Sequence, residues 1–386
     1  MGLSPFYKHC IPTGFLRLRY NYSMRVLQIC SAREFGGGER HLADLANGLA
    51  HRGHEVFAAL VPSSPLRSEL SSVPADNIVQ LPMRNALNIS TALKLARFAT
   101  ENRIQIIHAH VARDYPLAAL VARRSSARLI LTRHVLFPMS RAHSLALRGT
   151  VRVIAVSQAV ADVLRGQRIF SPEKIVLIHN GIDIDRFTKR REEVVAVRQD
   201  SARRLCVGMI GHLAPIKGQE DFIRAAATVR ARRSDVEFVI AGEDKSRKRE
   251  HRRHLEKLIN KLGLTQQVTL HGWVDDVAKL LPDFDLFVSP SRAEPFGLSI
   301  VEAMAAGVPV IATASEGARE IIDNRQTGWL VPMGDPEALA GAIFELLGDA
   351  DLRKRLSEQA QRSVRVRFSL EGMLDATEEV YRQTLE

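Results

Sequence analysis

The sequence is poor in the features that secreted, disulfide-bonded and membrane-spanning proteins require. It contains three cysteines, Cys10, Cys30 and Cys206, which are far apart and lack the paired spacing of a zinc site or a disulfide framework. No run approaches the roughly 18 consecutive apolar residues of a membrane span, and the first residues lack the charged, apolar and small-residue order of a secretory signal. These absences predict a protein of the reducing cytoplasm.

A nicotinamide-binding fingerprint is also missing. Dehydrogenases built on a parallel sheet carry Gly-x-Gly-x-x-Gly directly after the first strand. Here the first strand candidate is followed by Gly36 and Gly38, and His41 occupies the position of the third glycine. The sequence therefore disfavours a nicotinamide dehydrogenase.

Positive charge, by contrast, is in excess. The formal net charge of +11 suits an anionic partner such as a nucleic acid, an acidic lipid or a phosphorylated small molecule. The segment from Tyr115 to Ala161 has no acidic residue and holds the arginines Arg123, Arg124, Arg128, Arg133, Arg141, Arg148 and Arg152. Two interpretations stay open for this segment: a basic surface that faces a membrane or an acceptor, and an ordinary solvated face.

The hydrophobic pattern predicts two α/β domains. A chain of 386 residues exceeds the size at which one core usually keeps growing. Short apolar runs alternate with helical or loop segments, which is typical of a parallel sheet covered on both faces. In the first half we predict strands at Arg25 to Cys30, Val56 to Val61, Ile104 to Ala109, Leu129 to Thr132, Val151 to Val156 and Ile175 to Ile178.

The same rhythm stops in the charged stretch Lys189 to Arg204 and restarts afterwards. Strands are predicted there at Leu205 to Ile210, Val236 to Ala241, Val268 to Leu270, Leu286 to Ser289 and Val308 to Ala312. Helices are predicted at Gln219 to Arg232, Arg247 to Leu262, Pro336 to Leu347 and Leu370 to Leu385. Ligands of such sheets gather at the carboxyl ends of the strands, so the loops after the strands are the places to search.

We therefore expect two doubly wound, Rossmann-like domains that face each other across a cleft. Residues 1–23 resemble neither a signal nor a domain, and we expect them to be disordered, with Met24 as the natural start. The other expected units are a first domain over 24–190, a linker over 191–204, a second domain over 205–366 and a C-terminal helix over 367–386.

A pair of glutamates is the richest feature of the second half. Pro295 favours an extended conformation at Glu294, which keeps it in a loop, while a helical pattern begins at Gly297 and contains Glu302. The free N–H groups of that helix start suit a diphosphate or sugar hydroxyls. Glu302 lies about 7.5 Å further along the helix, which is the reach from a diphosphate to ribose hydroxyls. The alternative is that neither glutamate binds a ligand: Glu294 would cap the helix, and Glu302 would be an exposed helical residue.

Two further loops in the same half could contact a phosphorylated ligand. The loop from Gly211 to Gly218 lies between a strand and a helix, and its Lys217 is a point charge suited to phosphate. The loop from Thr313 to Ala318 could add backbone donors at Gly317 and Ala318, although a plain turn fits it equally well.

These residues and several others give the chain a resemblance to glycosyltransferase family 4, retaining enzymes of the GT-B fold. The most specific element is Glu294-Pro-Phe-Gly-Leu-Ser-Ile-Val-Glu302. It is supported by Gly36-Gly-Gly-Glu39, His108-Ala-His110, Ser157, His179-Asn-Gly-Ile-Asp183 and Gly307-Val-Pro309. The resemblance covers nearly everything from Met24 onward.

The resemblance implies that the N-terminal domain over 24–190 is on the acceptor side, that the C-terminal domain over 205–366 binds the nucleotide-sugar donor and that the helix over 367–386 returns to the first domain. Glu302 would hold the ribose of the donor and Lys217 its diphosphate. Glu294 and the backbone near Gly297 and Leu298 would hold the donor sugar. Gly37 and Gly38 would approach the phosphates from across the cleft. The sequence departs from the family at His212, where relatives commonly carry an arginine, and a histidine is often uncharged at neutral pH.

The resemblance also implies a catalytic centre between the domains. His110 stands where the family has an active-site histidine next to the transferred sugar, and Glu294 is the second catalytic candidate. His134 and Glu39 are candidates on the acceptor side. In the implied front-face mechanism, the departing phosphate oxygen receives the acceptor proton. A retaining double displacement would instead need two carboxylates about 5 Å apart across the anomeric carbon.

We expect neither a cofactor nor a metal. Asp-x-Asp triplets, which bind Mn²⁺ or Mg²⁺ in another transferase fold, occur at Asp183/Asp185, Asp283/Asp285 and Asp349/Asp351, and their scatter argues for chance. Lys217 and two helix ends would already neutralise the leaving diphosphate.

The expected partners are a nucleotide-sugar donor, a saccharide or lipid-linked acceptor in cell-envelope polysaccharide synthesis and an anionic membrane surface, but no nucleic acid. Two alternatives remain: a nucleotide-sugar epimerase or phosphorylase of the same fold, and a non-catalytic partner that binds a nucleotide-sugar and activates another transferase.

Overall fold

A computed structural model describes residues 23–83, 88–140, 143–188 and 204–386 of the chain. The expected N-terminal extension, apart from Ser23, and residues 191–203 of the expected linker lie outside the described residues. Among the described helices, none combines the length and the apolar composition that crossing a bilayer requires.

The first half forms a seven-stranded sheet in which every pairing is parallel. Its strands are β1 (Arg25–Cys30), β2 (Glu55–Leu60), β3 (Ile78–Gln80), β4 (Ile106–Ala109), β5 (Arg128–Arg133), β6 (Thr150–Ala155) and β7 (Ile175–Leu177). The spatial order is β3-β2-β1-β4-β5-β6-β7. Each predicted strand of this half is present within two residues at either end, while the short edge strand β3 was missed.

The second half forms a six-stranded parallel sheet. Its strands are β8 (Leu205–Ile210), β9 (Val236–Ala241), β10 (Val268–Gly272), β11 (Leu286–Ser289), β12 (Val310–Thr313) and β13 (Trp329–Val331). The spatial order is β10-β9-β8-β11-β12-β13. Two parallel sheets with helices confirm the expected fold class of two doubly wound α/β domains.

Helices cover both faces of each sheet and bury apolar side chains against it. Those of the first half are Gly37–His51, Leu66–Glu69, Ile89–Glu101, Tyr115–Ser125, His143–Ala146 and Gln158–Gln167. Those of the second half are Gln219–Arg230, Glu250–Lys261, Val277–Leu280, Leu298–Ala305, Glu316–Ile321, Pro336–Gly348, Ala350–Arg367 and Leu370–Leu385.

Each sheet reverses its strand order next to its first strand. In the first sheet the chain runs outward from β1 to β3 and then returns to place β4 on the other side of β1; in the second, β11 takes the same place beside β8. A crevice at the carboxyl ends of the strands forms at such a reversal. The loops after β1, β4, β8 and β11 therefore line the two crevices.

The last helix packs against the first domain. Tyr381 is fully buried, and its hydroxyl lies 2.6 Å from His108 Nδ1. A Cβ added at Gly48 would lie 2.5 Å from Leu374 Cδ1, so the absence of a side chain at Gly48 lets the helix Gly37–His51 and the last helix come together. Arg52 adds ion pairs to Glu371, Asp375 and Glu378 of this helix.

Candidate active site

The loops after β8 and β11 are joined through their backbones. The N–H of Arg292 donates to the carbonyl oxygen of Ile216 over 2.8 Å. Gly218 has φ +72°, and a Cβ there would lie 2.0 Å from the carbonyl oxygen of Pro290. Glycine is required at this position because both the left-handed backbone and the close approach exclude a side chain.

This junction brings Lys217 and Glu294 into direct contact. Lys217 Nζ donates to Glu294 Oε2 over 2.6 Å, and Ser291 Oγ donates to the same oxygen over 3.2 Å. Glu294 is 8% exposed, whereas Lys217 is half-buried. The predicted diphosphate ligand and the predicted sugar ligand thus form one charged unit at the crevice of the second sheet.

The helix Leu298–Ala305 begins at this unit. Gly297 is its N-cap residue, with φ +108°, which favours glycine. Its carbonyl oxygen accepts from Ile300 and Val301, so the amides of Leu298 and Ser299 come first in the helix, where no intrahelical acceptor is available. These amides could serve as donors for an anionic ligand beside Glu294.

Gly317 has a packing role in the same place. A Cβ there would lie 2.2 Å from the carbonyl oxygen of Phe296 and 2.6 Å from that of Glu294. Its backbone N–H, which we expected to face the donor, donates to the carbonyl oxygen of Glu294 over 2.9 Å. The N–H of Gly317 therefore holds the loop of Glu294 in place, and it is not free to donate to a ligand.

Glu302 faces the first domain. Burial raises the pKa of its carboxyl to about 7, and Asp44 and Asp276 raise it further, while Arg40 and Arg186 act against them. Arg40 and Asp44 belong to the helix Gly37–His51 of the other domain. A hydroxyl that donates a hydrogen bond to this carboxyl would favour its ionised form, so ligand binding near neutral pH would ionise Glu302.

His212 lies against the glycine-rich loop after β1. A Cβ added at Gly36 would lie 3.4 Å from His212 Nε2, and the imidazole stacks on Trp273 with ring centroids 6.4 Å apart. Burial lowers the pKa of His212, and the charges of Lys245 and Lys217 lower it further. The imidazole is uncharged at neutral pH, so Lys217 supplies positive charge in this loop and His212 does not.

The glycine-rich loop opens the helix Gly37–His51. A Cβ at Gly37 would meet no atom within 4 Å, whereas one at Gly38 would contact the ring of His134 at 3.5 Å. Burial raises the pKa of Glu39, although backbone amides at Gly36 and Glu39 bind its carboxylate and oppose this. The backbone of Gly37 is thus accessible to a ligand, whereas Gly38 packs the start of the helix against His134.

His110 stands at the crevice of the first sheet, directly after β4. It is 4% exposed, and its Nε2 lies 2.8 Å from Gln28 Oε1. Burial lowers its pKa well below the usual range, and the neighbouring histidines His108, His41 and His134 lower it further. The ring of His134 stacks on that of His110 at 5.8 Å. The catalytic candidate and the acceptor-side candidate therefore form one uncharged cluster.

Sequence reasoning missed Lys245, which links the two domains at the cleft. It follows β9, and its Nζ donates to the carbonyl oxygen of Phe35 over 2.7 Å and lies 3.6 Å from Glu34. The ammonium group also lies 5.4 Å from the centre of the Trp273 ring. The signal available in the sequence was its position in a loop after a strand, where ligand-binding residues gather.

The Asp-x-Asp triplets contribute carboxylates to local structure. Asp349 accepts from the N–H of Leu352 at a helix start, and Asp285 accepts from the N–H of Cys206. Asp183 accepts from the N–H of Arg186. These capping and loop contacts give the three carboxylates structural roles.

Two family models match the chain. The model described as Glycosyltransferase Family 4 matches residues 35–186, and the model described as Glycosyl transferases group 1 matches residues 191–363. The chain is 29% identical over 344 residues to a lipopolysaccharide core biosynthesis glycosyltransferase of Rhizobium meliloti, an alignment that covers 88% of this chain and 94% of the relative.

Solved structures match over nearly the whole chain. A glycosyltransferase from Rickettsia africae superposes with a TM-score of 0.83 at 26% identity, covering 95% of this chain and 100% of that one. The Anabaena protein HepE in complex with UDP and glucose superposes with a TM-score of 0.81 at 24% identity, covering 92% and 99%. The second likeness is evidence of the fold alone.

Proposed function

Because the chain belongs to the glycosyltransferases, with a family 4 region followed by a group 1 region, we propose that it transfers a hexose-type sugar from a nucleotide-diphosphate donor to a saccharide or lipid-linked acceptor, with retention of anomeric configuration. The observation that carries the donor assignment is the contact of Lys217 with Glu294, where the loops after β8 and β11 meet. The UDP in the HepE complex supports a nucleotide donor.

In this proposal the donor replaces protein contacts with its own. The diphosphate accepts hydrogen bonds from the ammonium group of Lys217 and from the first amides of the helix Leu298–Ala305. These donors stabilise the charge that develops on the leaving phosphate. Glu294, released from Lys217, accepts hydroxyls of the sugar. Glu302 ionises and accepts the two ribose hydroxyls. No divalent metal is needed to neutralise the leaving group.

Transfer proceeds on one face of the sugar. The bond from the anomeric carbon to the phosphate oxygen breaks, and the acceptor oxygen bonds to the same face. The leaving phosphate oxygen takes the acceptor proton. His110 Nδ1 contacts the sugar near the anomeric carbon, because His110 Nε2 is held by Gln28. Glu294 and Glu302 bind the donor, so neither serves as a covalent nucleophile.

A panel of donors tests the reaction. Release of nucleoside diphosphate is measured for UDP-, GDP- and ADP-sugars, with and without saccharide and lipid-linked acceptors from cell envelopes, and the anomeric proton of the product is assigned by NMR. Acceptor-dependent release with a retained anomer is expected. Turnover without an acceptor would indicate the epimerase or phosphorylase alternative, and binding without turnover would indicate the non-catalytic partner.

An anionic membrane surface fits the first domain. Phe137 and Leu145 are 68% and 64% exposed, and Arg123, which is exposed, donates to the backbone of Leu145. Exposed apolar side chains beside arginines are typical of a surface that binds acidic lipid. The expectation of a surface position was wrong for Arg133. This residue lies inside the sheet on β5, is 4% exposed and donates to the carbonyl oxygen of Phe137.

Vesicle sedimentation tests the membrane surface. We expect the chain to pellet with phosphatidylserine vesicles at low salt and to stay in solution at about 0.5 M salt, because screening weakens the attraction. Phe137→Ser together with Leu145→Ser should abolish pelleting. The matched control is Val366→Ser, since Val366 is 81% exposed on a helix of the second domain. Equal pelleting of both variants would refute the assignment.

A further inference from the structure

Three histidines from separate elements converge beneath the glycine-rich loop. His41 lies on the helix Gly37–His51, His110 follows β4 and His134 follows β5. One ring nitrogen from each lies within 4.8 Å of the other two. The ring centroids of His41 and His134 are 4.8 Å apart, and those of His41 and His110 are 5.7 Å apart. His134 is half-buried and forms the side of the cluster that solvent can reach.

The cluster contains nitrogens that the protein does not satisfy. Among the described residues, His41 Nδ1, His110 Nδ1 and His134 Nε2 have no hydrogen-bond partner within bonding geometry. Burial lowers the pKa of His41 to about 4, and the nearby side chain of Asn180 opposes this shift. His41 and His110 are 3% and 4% exposed, so their nitrogens are removed from water. A buried polar atom without a partner costs about 1–3 kcal/mol, and such atoms are rare in folded proteins. Three of them in one cluster point to a ligand.

Gln28 fixes the tautomer of His110. The amide nitrogen of Gln28 donates to the hydroxyl of Tyr381 over 3.4 Å, which leaves the amide oxygen as the acceptor for His110 Nε2 at 2.8 Å. His110 Nε2 therefore carries the proton, and the free lone pair of the ring is on His110 Nδ1, the nitrogen without a protein partner. A histidine that binds a metal almost always donates its second N–H in this manner.

The ligand chemistry is that of a transition metal. Neutral imidazole suits zinc, copper, nickel and iron, whereas Mg²⁺ and Ca²⁺ prefer oxygen ligands. Zinc–nitrogen bonds of about 2.0–2.1 Å place three imidazole nitrogens about 3.3 Å apart around one ion. The nitrogens within 4.8 Å reach this spacing by small side-chain rotations, for which the half-buried His134 has freedom. Three histidines with one open position are a known zinc arrangement.

We propose that His41, His110 and His134 bind one divalent transition-metal ion of the zinc class, and that the bound ion inhibits sugar transfer by occupying His110 Nδ1. Binding follows from the cluster itself. Inhibition rests on the proposed function, because it requires that His110 Nδ1 contacts the transferred sugar. The ion is a competitor for this nitrogen and takes no part in the reaction.

Cobalt titration of the full-length, chelator-treated protein tests binding. We expect one equivalent of Co²⁺ to give the intense visible absorption of a four-coordinate site. His41→Ala and His134→Ala should each weaken binding by at least about tenfold. The control is His251→Ala with His254→Ala, a histidine pair on the helix Glu250–Lys261 whose rings are 6.1 Å apart. Loss of binding in the control variant, or weak six-coordinate absorption in the wild type, would overturn the site.

X-ray absorption of the zinc-loaded wild type keeps the proposal testable if a histidine variant fails to fold. Three nitrogen ligands at about 2.0 Å are expected. A shell made up of oxygen ligands would count against the cluster as the site.

Release of nucleoside diphosphate tests inhibition. Zn²⁺ should inhibit at the concentration at which it binds, EDTA should restore the rate and Mg²⁺ should have no effect. Zinc binding without a loss of rate would refute the proposed inhibition and leave the metal site standing. Cobalt binding in a protein that shows no turnover with any donor would refute the proposed function and leave the site standing.

Discussion

Lys217 Nζ and Glu294 Oε2 lie 2.6 Å apart although 77 positions separate the two residues in the chain. The contact exists because β8 and β11 are neighbours in the sheet and both present the loop at their carboxyl end to the same crevice. It neutralises the mostly buried carboxylate of Glu294 and keeps the ammonium group of Lys217 close to the start of the helix Leu298–Ala305.

Replacing Lys217 should impair the reaction more than the fold. Lys217→Met removes the positive charge next to the leaving diphosphate, and we expect kcat/KM for the donor to fall by about 10²-fold. The matched control is Lys257→Met, since Lys257 is exposed on the helix Glu250–Lys261. Steady-state release of nucleoside diphosphate measures both. A decrease in kcat/KM of less than about threefold for Lys217→Met would show that Lys217 does not bind the diphosphate.

Glu302 should make stability depend on pH. Its pKa is raised to about 7 from 4.5, so the folded state binds the proton more tightly than the unfolded state. This stabilisation is complete below about pH 4.5 and is lost as the pH rises to about 7. Glu302→Gln removes this dependence and should therefore gain up to about 3 kcal/mol over the wild type above pH 7 and little at low pH.

Urea unfolding of both proteins at pH 5 and pH 8 measures this difference. The same variant should lose the pH dependence of the donor KM, which in the wild type is expected to fall as Glu302 ionises and accepts the ribose hydroxyls. Unfolding midpoints that shift in parallel between the two pH values would show that Glu302 has an ordinary pKa.

Lys245 should hold the cleft closed. Its ammonium group donates to the carbonyl oxygen of Phe35 in the other domain. One hydrogen bond of a charged group contributes about 1.5 kcal/mol, so Lys245→Ala should raise the donor KM about tenfold and increase the radius of gyration in small-angle scattering. Lys248→Ala is the control, because Lys248 is exposed in the same loop. Identical scattering and KM for the two variants would exclude this role.

Gly317 should tolerate no side chain. In Gly317→Ala the new Cβ meets the carbonyl oxygens of Phe296 and Glu294, and we expect a loss of about 1–3 kcal/mol in the free energy of unfolding. Gly341→Ala is the matched control, since Gly341 is exposed on the helix Pro336–Gly348 and its Cβ would meet no atom within 4 Å.

Alanine at Gly341 should stabilise the helix by about 0.5–1 kcal/mol. Calorimetry of both variants therefore gives shifts of opposite sign. A Gly317→Ala protein as stable as the wild type would mean that the loop of Glu294 can move away from this glycine.

The strands of both sheets could be predicted because a strand buried on both faces is a continuous apolar run. Predicted and observed bounds agree at Arg25–Cys30, Leu205–Ile210 and Val236–Ala241. The missed strands, Ile78–Gln80 and Trp329–Val331, lie at sheet edges and have three residues each.

The contacts across the cleft could not be predicted in the same way. Lys245 has no distinguishing neighbours in the sequence, and its partner Phe35 contributes only a backbone carbonyl. Arg133 looked like a surface arginine because its charge is visible in the sequence, whereas its position on β5 between β4 and β6 is not. His41 entered the sequence argument only as a residue that breaks a glycine pattern.

The sequence by itself determined the two parallel sheets and the membership of the glycosyltransferases, and it predicted Lys217, Glu294 and Glu302 as donor ligands, because hydrophobic periodicity and the residues around a helix start are local. Only the tertiary structure decided that Lys217 contacts Glu294, that burial moves the pKa of Glu302 towards neutrality and that three histidines share one cluster. Burial and proximity depend on which strands become neighbours, and that is a property of the folded chain as a whole.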